Sequence, residues 1–277
     1  MDAEMMTEND NRKDGKPYRV GLGLSGGGAK GIAHLGIIKA LEEFGLKPEI
    51  ISGVSAGAII GALYADGKTP DEICAFFKET SFFDYVNIAV LRKRGGIMVS
   101  RRFESMLKGY LKAKTFEELS MPLVINATEL TEGRNEYFSS GSLVEKIIAS
   151  TTVPIFLTPK VIGDKVYVDG GIFNNMPCRV IRDRCSLLVG CHVNPIMRED
   201  KIDGMFDVAE RVYNLSIQSS TVPEKQVCDI VIEPIKAKRF GMFEIARTQE
   251  IFDIGYEAAV ETLKVVDLTR FRHGLEE

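Results

Sequence analysis

The chain of 277 residues is predicted to adopt an α/β fold with a parallel central sheet, because two sequence patterns alternate along it. Short apolar runs over residues 18–24 and 49–52 have the length of buried strands, and each is followed by a serine or a glycine. Apolar residues then recur with helical spacing over 32–44 and 56–65. Strands that alternate with helices in this way are typical of βαβ units, whose strands lie parallel in one sheet.

Turn and cap residues mark the remaining elements. Thr69 followed by Pro70 predicts a helix start, since proline fits the first helical position. Ser142 and Glu145 form a capping-box pattern for another helix. Gly163-Asp164 predicts a hairpin turn between the apolar residues on either side. Further strands are predicted at 122–128, 161–168, 187–193 and 229–233, and a helical apolar pattern occupies 252–265.

Length and composition predict one folded domain over residues 18–277. A chain of this size buries roughly 75% of its unfolded surface, and no repeat or Pro- or Ser-rich linker divides it after residue 18. Residues 1–17 are polar and charged and lack the apolar segment of a secretion signal, so a disordered tail is predicted there. The apolar stretch 50–65 is too short for a membrane span and contains serines and glycines.

Charge and cysteine usage narrow the environment and the partners. The formal net charge of −4 gives no overall attraction to nucleic acid. The cysteines are scattered, and none forms a C-x-x-C pair, so neither a disulfide framework nor a zinc site is expected. A reducing, cytoplasmic setting is predicted, while peripheral membrane contact and the oligomeric state stay open. The cysteines are Cys74, Cys178, Cys185, Cys191 and Cys228.

A G-x-S-x-G sequence, from Gly53 through Ser55 to Gly57, lies between the second predicted strand and the next helix. A serine on such a turn is held outward as a nucleophile, and the flanking glycines let strand and helix pack closely. The helix that begins there directs the positive end of its dipole toward negative charge developing at the serine. The motif therefore predicts a nucleophile at Ser55.

A glycine-rich loop, Gly26-Gly27-Gly28-Ala29-Lys30-Gly31, follows the first predicted strand. Consecutive glycines let backbone N–H groups converge on one point, which suits an oxyanion hole. Lys30 would add positive field there or lie solvated on the helix surface. Residues 21–26 also spell G-x-G-x-x-G, the dinucleotide fingerprint, but its first two glycines fall inside the strand and no acidic residue ends the second strand. Nucleotide binding is therefore kept only as an alternative.

A third candidate, Asp169-Gly170-Gly171, directly follows the apolar residues 165–168. A carboxylate beside two glycines can approach a serine hydroxyl closely and act as its base, although Asp-Gly is also a common turn dipeptide. Of the three histidines, His34 is expected to be a packing residue and His273 to lie near a frayed end. His192 ends a predicted strand and stays a candidate for a triad in the chain order Ser, Asp, His.

These three motifs, in this order and spacing, resemble the patatin-like phospholipases. The loop at 26–31, the serine turn at 53–57 and the aspartate at 169–171 match the family pattern. Residues 20–65 resemble the family almost continuously, as do 149–154 before the aspartate and 174–177 after it. The resemblance spans roughly residues 18 to 200, with no departure at the motif positions.

The resemblance implies a three-layer α/β/α sandwich with a mostly parallel sheet, and a serine–aspartate dyad without a catalytic histidine. By this analogy Ser55 attacks a carboxylic ester of a lipid and Asp169 accepts its proton. It implies neither a metal nor an organic cofactor. The oxyanion hole implied is Gly26, Gly27 and Gly28, with motif support from Lys30, Gly31, Gly53, Gly57, Gly170 and Gly171.

Apolar segments are candidates for the substrate entrance, namely Phe76-Phe77, Phe82-Phe83 and Ile155-Phe156-Leu157. The basic run Arg92-Lys93-Arg94 is either a flap that contacts anionic headgroups or a solvated charge run. Two other functions stay open: a triad esterase using His192, and a non-catalytic module that binds lipid or nucleotide. The chain-length and headgroup preference cannot be derived from these motifs, which phospholipases, lysophospholipases and esterases share.

Overall fold

A computed structural model describes residues 15–79, 96–196, 198, 202–242, 244 and 247–268. The predicted tail lies outside these ranges except for residues 15–17, where Lys16 donates from Nζ to the carbonyl oxygens of Arg182 and Cys185. Phe82-Phe83 and the basic run at 92–94 also lie outside the described residues.

The described chain forms one eight-stranded sheet and seven α-helices. The strands are β1 (Tyr18–Leu24), β2 (Ile50–Gly53), β3 (Leu123–Glu129), β4 (Arg134–Phe138), β5 (Lys160–Ile162), β6 (Lys165–Asp169), β7 (Cys185–Cys191) and β8 (Ile230–Ile232). The helices are α1 (Ala33–Glu43), α2 (Ala56–Ala65), α3 (Pro70–Glu79), α4 (Gly96–Tyr110), α5 (Leu143–Thr151), α6 (Met205–Lys225) and α7 (Thr248–Val265). Short 3-10 segments cover Gly28–Ile32, Phe116–Glu118, Gly170–Ile172, Arg179–Arg184 and Ile235–Arg239.

The sheet runs in the order β5-β6-β3-β2-β1-β7-β8, with β4 also paired to β3. Five consecutive strands, from β3 to β8 along this order, are parallel, whereas β4, β6 and β5 pair antiparallel. The predicted α/β fold with a mostly parallel sheet is therefore confirmed, and so is the hairpin at Gly163, whose φ of 63° a glycine adopts freely.

The core lies on both faces of the sheet because neighbouring strand residues point to opposite sides. In β7, Leu187 belongs to the larger core cluster and Leu188 to a smaller one. Helices α1, α2, α3 and α7 together supply nearly half of the buried residues of the larger cluster. The smaller cluster is covered by the 3-10 segment Arg179–Arg184 and by residues 227–228, which follow α6. The second helical layer is thus thinner than the first.

Helix starts follow the predictions only in part. Before α3, the Thr69 N–H donates to Glu72 Oε2 at 2.8 Å and the Glu72 N–H donates to Thr69 Oγ1 at 3.2 Å, a reciprocal cap. Before α5, Ser142 is the N-cap residue but its side chain makes no capping hydrogen bond, so that part of the prediction is wrong. The Leu143 N–H instead donates to the Lys114 carbonyl at 2.9 Å, a tertiary contact that replaces the local cap.

The first and last described helices, α1 and α7, meet at two glycines. A Cβ atom added at Gly36 would overlap the carbonyl oxygen of Phe252, and one added at Gly255 would overlap that of Ala33. Glycine is therefore needed at both positions, because the backbones of α1 and α7 approach so closely that no side chain fits between them. The crossing joins residues about 220 positions apart to one core.

None of the described helices has the length and apolar character that crossing a bilayer requires.

Replacing Gly36 or Gly255 with alanine is expected to lower the free energy of unfolding by about 2 kcal/mol or more, because overpacking outweighs alanine's better helix propensity. Urea denaturation measures the change. Gly109→Ala in α4 is the matched control, since a Cβ there meets nothing within 4 Å, and it should be neutral or stabilising by up to about 1 kcal/mol. Equal effects at all three glycines would contradict the close crossing.

Candidate active site

Strand pairing brings the three sequence motifs to one edge of the sheet. The glycine loop follows β1, Ser55 follows β2, and Asp169 ends β6. Gly53 pairs in parallel with Ile125 of β3, and Asp169 pairs antiparallel with Ala127 of the same strand. Because the two register positions on β3 are only two residues apart, Ser55 and Asp169 reach the same end of the sheet.

Ser55 occupies a strained turn between β2 and α2. Its φ of 53° and ψ of −121° are unusual for a residue with a side chain, and such strain is typical of functional positions. The Ser55 N–H donates to the Oγ of buried Ser150 at 2.9 Å, which fixes the turn from α5. Gly57 is required as well, since a Cβ there would overlap the carbonyl oxygen of Leu24.

Asp169 is fully buried and held by backbone contacts. Its N–H donates to the Thr152 carbonyl at 2.8 Å, and its carbonyl accepts from Thr128 Oγ1 at 2.9 Å. The side-chain Oδ1 accepts the Gly171 N–H at 2.8 Å, and Gly170 packs against Asn126 with no room for a Cβ. These contacts aim the carboxylate at the serine.

Burial raises the pKa of Asp169 from an ordinary 3.8 to about 6. The hydroxyls of Ser55 and Tyr213 and the Gly171 N–H oppose this rise, because they stabilise the charged carboxylate. Oδ2 is buried and has no hydrogen bond of ordinary geometry among the described residues, although both hydroxyls are near enough to the carboxylate to lower its pKa. A carboxylate with this pKa is ionised near neutral pH and still basic enough to accept a proton.

Tyr213 of α6 is not among the site residues predicted from the sequence, yet it lies beside the Asp169 carboxylate. Its hydroxyl is 3.2 Å from the position a Cβ would take on Gly171, and burial, followed by the Asp169 charge, raises the pKa of this hydroxyl well above its usual range. Tyr213 also lines the pocket described below. Tyr213 reaches this position because α6 packs beside the site, and no local sequence motif identifies it.

The glycine loop presents its amides unequally. The Gly26 N–H already donates to the Asn175 carbonyl at 3.2 Å, whereas those of Gly27 and Gly28 have no backbone partner among the described residues. Gly28 has a φ of 58°, and a Cβ there would overlap the Met242 carbonyl. Lys30 Nζ donates to Asn194 Oδ1 at 2.7 Å, so this lysine is part of the loop's bonding. Gly31 packs against Ala56, which leaves no room for a Cβ.

The dinucleotide alternative does not fit the strand structure. Gly21 and Gly23 lie within β1, paired on both sides, and added Cβ atoms would overlap the sulfur atoms of Cys185 and Cys178. Both glycines therefore serve strand packing under the sheet, away from the loop that follows β1. Among the described residues, no group of three or more His, Cys, Asp or Glu side chains is placed to hold a metal ion.

A pocket of about 1030 Å³, counted with its open mouth, begins at Ser55 and the glycine loop. The rest of its wall is almost entirely apolar. Of the predicted entrance residues, Phe77, Phe156 and Leu157 line it, whereas Phe76 stacks on Tyr110 and Ile155 points outward with 75% of its surface exposed. The other apolar lining residues are Ile32, Ala56, Ile59, Ile60, Phe103, Ile148, Val153, Ile217 and Met242.

The two described histidines have partners away from this pocket. His34 is buried with Nε2 at 2.8 Å from the Ser25 carbonyl, and burial lowers its pKa to about 4. His192 is buried with Nδ1 at 2.8 Å from Glu233 Oε1, and burial lowers its pKa despite that carboxylate. Neither histidine lines the pocket or is among the groups that affect Asp169. The triad with His192 therefore finds no support in this geometry.

Comparison with known proteins identifies one protein family that resembles this chain. A family model described as patatin-like phospholipase matches residues 22–181. Lysophospholipase NTE1 of Mycosarcoma maydis is 28% identical over 288 residues, which is 88% of this chain and 15% of that protein. Human patatin-like phospholipase domain-containing protein 6 (Homo sapiens) is 26% identical over 276 residues, 86% of this chain and 20% of that protein. The chain thus spans a fifth or less of the length of these relatives.

The crystal structure of VipD from Legionella pneumophila shares the fold, with a TM-score of 0.52 over 89% of this chain and 67% of that one, at 16% identity.

Asp169→Asn is expected to raise the free energy of unfolding at pH 8 by up to about 3 kcal/mol and at pH 4 by less than about 1 kcal/mol. The folded pKa of about 6 lies above the unfolded value of 3.8, so the native state loses stability as pH rises through this window. Urea denaturation of both proteins from pH 4 to 8 measures the difference. Asp164→Asn, the same change at an exposed turn, is the control. A stability gain independent of pH would contradict the buried charge.

Proposed function

The chain belongs to the patatin-like phospholipase family, and from that premise we propose that it hydrolyses carboxylic esters of lipids through an acyl-enzyme formed on Ser55. The observation that carries the proposal is the convergence of a strained serine and a buried carboxylate on one apolar pocket. A strained nucleophile, a base with a raised pKa and an apolar binding cavity are the features that acyl transfer from a lipid needs.

In the proposed first step, Ser55 Oγ attacks the ester carbonyl and its proton passes to Asp169. A carboxylate with a pKa of about 6 accepts a hydroxyl proton more readily than one at 3.8. The Gly171 N–H and the Tyr213 hydroxyl keep the aspartate oriented and ionised before the attack. Neither described histidine takes part, since His34 is bonded to the Ser25 carbonyl and His192 is paired with Glu233.

The negative oxygen of the tetrahedral intermediate is proposed to bind the N–H groups of Gly27 and Gly28. From the sequence, Gly26 is also predicted to be in the oxyanion hole, but the Gly26 N–H already donates to the Asn175 carbonyl. The start of α2 next to Ser55 adds the positive end of a helix dipole. Collapse of the intermediate transfers the Asp169 proton to the leaving alcohol. A water molecule then attacks the acyl-enzyme in the same way, with Asp169 as its base, and releases the fatty acid.

The apolar wall of the pocket fits an acyl chain. Its side chains come from α2, α3, α4, α5 and α6, so the chain would be enclosed between helices with few polar contacts. Burial of each methylene contributes about 0.8 kcal/mol, which makes the pocket selective for acyl chains over polar acids. Headgroup and ester position are not specified by this wall.

Active-site labelling with a fluorophosphonate probe tests the proposal. Wild type is expected to be labelled and to turn over p-nitrophenyl esters, with activity falling below about pH 6 as Asp169 becomes protonated. Ser55→Ala should abolish labelling, and Asp169→Asn should lower kcat by at least about 10³-fold. His192→Ala should retain both signals.

Circular dichroism and thermal denaturation provide the folding control for each variant. Loss of both signals in folded His192→Ala would transfer the assignment to a triad esterase. Folded wild type that is neither labelled nor active would count against any serine enzyme and favour a lipid-binding module.

The acyl site is tested by narrowing it. Ile217 of α6 is buried and lines the pocket, so Ile217→Phe is expected to lower kcat/KM for a long-chain ester roughly 10-fold more than for the acetate. Leu215→Phe, on the same helix with its side chain half exposed, is the matched control and should change both esters equally. A uniform loss across chain lengths in Ile217→Phe would argue against this wall as the acyl site.

A further inference from the structure

Two neighbouring asparagines after Asp169 are both buried but differ in how their side chains are satisfied. Asn174 donates from Nδ2 to Tyr137 Oη at 3.1 Å and to Glu224 Oε1 at 3.0 Å, and its Oδ1 accepts the Met176 N–H at 3.1 Å. Asn175, with 1% of its surface exposed, has an Nδ2 atom with no hydrogen-bond partner in the described part of the chain.

An unsatisfied amide of this kind is costly. Burying a polar group without a partner destabilises a protein by about 1–3 kcal/mol, and buried side-chain polar atoms are usually bonded for that reason. An apolar side chain of the same shape would avoid the cost. The amide of Asn175 is therefore best explained by a partner that arrives with the substrate.

The position of this amide identifies that partner. A Cβ placed on Gly26 would lie 2.5 Å from Asn175 Oδ1 and 3.3 Å from Ser55 Cβ. A Cβ placed on Gly171 would lie 2.8 Å from the same Oδ1 and 3.0 Å from Asp169 Oδ1. Asn175 Oδ1 thus lies next to Gly26, which is close to Ser55, and next to Gly171, which is close to Asp169, and Asn175 also lines the pocket.

The backbone of Asn175 is fixed while its amide is not. Its N–H donates to Ser220 Oγ at 3.1 Å and its carbonyl accepts from Gly26. An amide turned by 180° occupies the same volume, and no hydrogen bond of Nδ2 has to break for that turn. The side chain can therefore present an N–H donor to the gap between Gly26 and Gly171.

We propose that the side-chain amide of Asn175 is a further catalytic group, which donates a hydrogen bond to the reacting carbonyl oxygen as this oxygen becomes negative. The inference rests on the proposed hydrolase function. It completes an oxyanion hole from which Gly26 is absent, since the Gly26 N–H is held by the backbone of this same residue. The amide forms no covalent bond and gains its partner only when the serine oxygen has added to the carbonyl.

The test compares Asn175→Leu with wild type in ester turnover and thermal denaturation. Leucine keeps the shape and removes the amide, so kcat is expected to fall about 10²-fold, the loss typical for one oxyanion donor, with KM within about threefold. The melting temperature should stay equal or rise, because an unsatisfied buried group has been removed. Asn174→Leu is the matched control and should lower the melting temperature, since it removes the hydrogen bonds of Asn174 with Glu224 Oε1 and with the Met176 N–H.

Ser55→Ala separates this inference from the function on which it rests. Turnover that persists in Ser55→Ala would overturn both. Turnover that depends on Ser55, with kcat of Asn175→Leu within about threefold of wild type, would overturn the role of Asn175 alone. A melting temperature that falls in Asn175→Leu as it does in Asn174→Leu would make the amide structural. Should the leucine variant not fold, Asn175→Ala gives the same kcat-against-KM comparison.

Discussion

The site depends on two of the three strands that pair with β3, one parallel to it and one antiparallel. Its parallel pairing with β2 places Gly53 beside Ile125, and its antiparallel pairing with β6 places Asp169 beside Ala127. A sheet that was parallel throughout would need a crossover to bring a carboxylate to this edge, whereas a short hairpin, β5-β6, returns the chain directly. Ser55 and Asp169 are far apart in the sequence, but they lie close together because β2 and β6 both pair with β3.

Several features of the site oppose stability. Ser55 adopts a conformation that costs of order 1–3 kcal/mol, Asp169 carries its charge in a dry environment, and Asn175 keeps an unbonded amide. Such concentrations of strain persist when the surrounding structure leaves no alternative. Here that structure includes the glycine contacts between β1 and α2 and the hydrogen bond from Ser55 to Ser150.

The sequence predicted the parts of the fold whose cause is local. Strand β1 and helix α2 have the predicted bounds, because apolar runs ended by glycine or serine depend on neighbours in the chain. Helices α4 and α6 and strand β4 were not predicted, since their pattern becomes meaningful only against partners distant in sequence. Strand β4 is largely exposed and polar, and it forms because β3 offers it a free edge.

In the candidate site too, the features with a local cause could be predicted and those that depend on distant residues could not. Ser55 and the glycine loop are recognisable because a tight turn restricts residue types over a few positions. Tyr213 and the unsatisfied amide of Asn175 follow from three-dimensional proximity alone, and the commitment of the Gly26 N–H to Asn175 depends on a segment about 150 residues away. Spacing in a sequence does not report which backbone donors are already used.

The glycine loop has a further consequence for how the protein is made. The Ala29 N–H donates to the Met242 carbonyl, and α1, which follows the loop, is crossed by α7 at Gly36 and Gly255. During synthesis from the N-terminus, Ser55 and Asp169 leave the ribosome well before these partners exist. Domains fold as units once their long-range contacts can form, so the glycine loop and α1 stay without these partners until residues 242–255 emerge. The geometry described for the site is therefore complete only after residue 255 has been synthesised, well after Ser55 and Asp169.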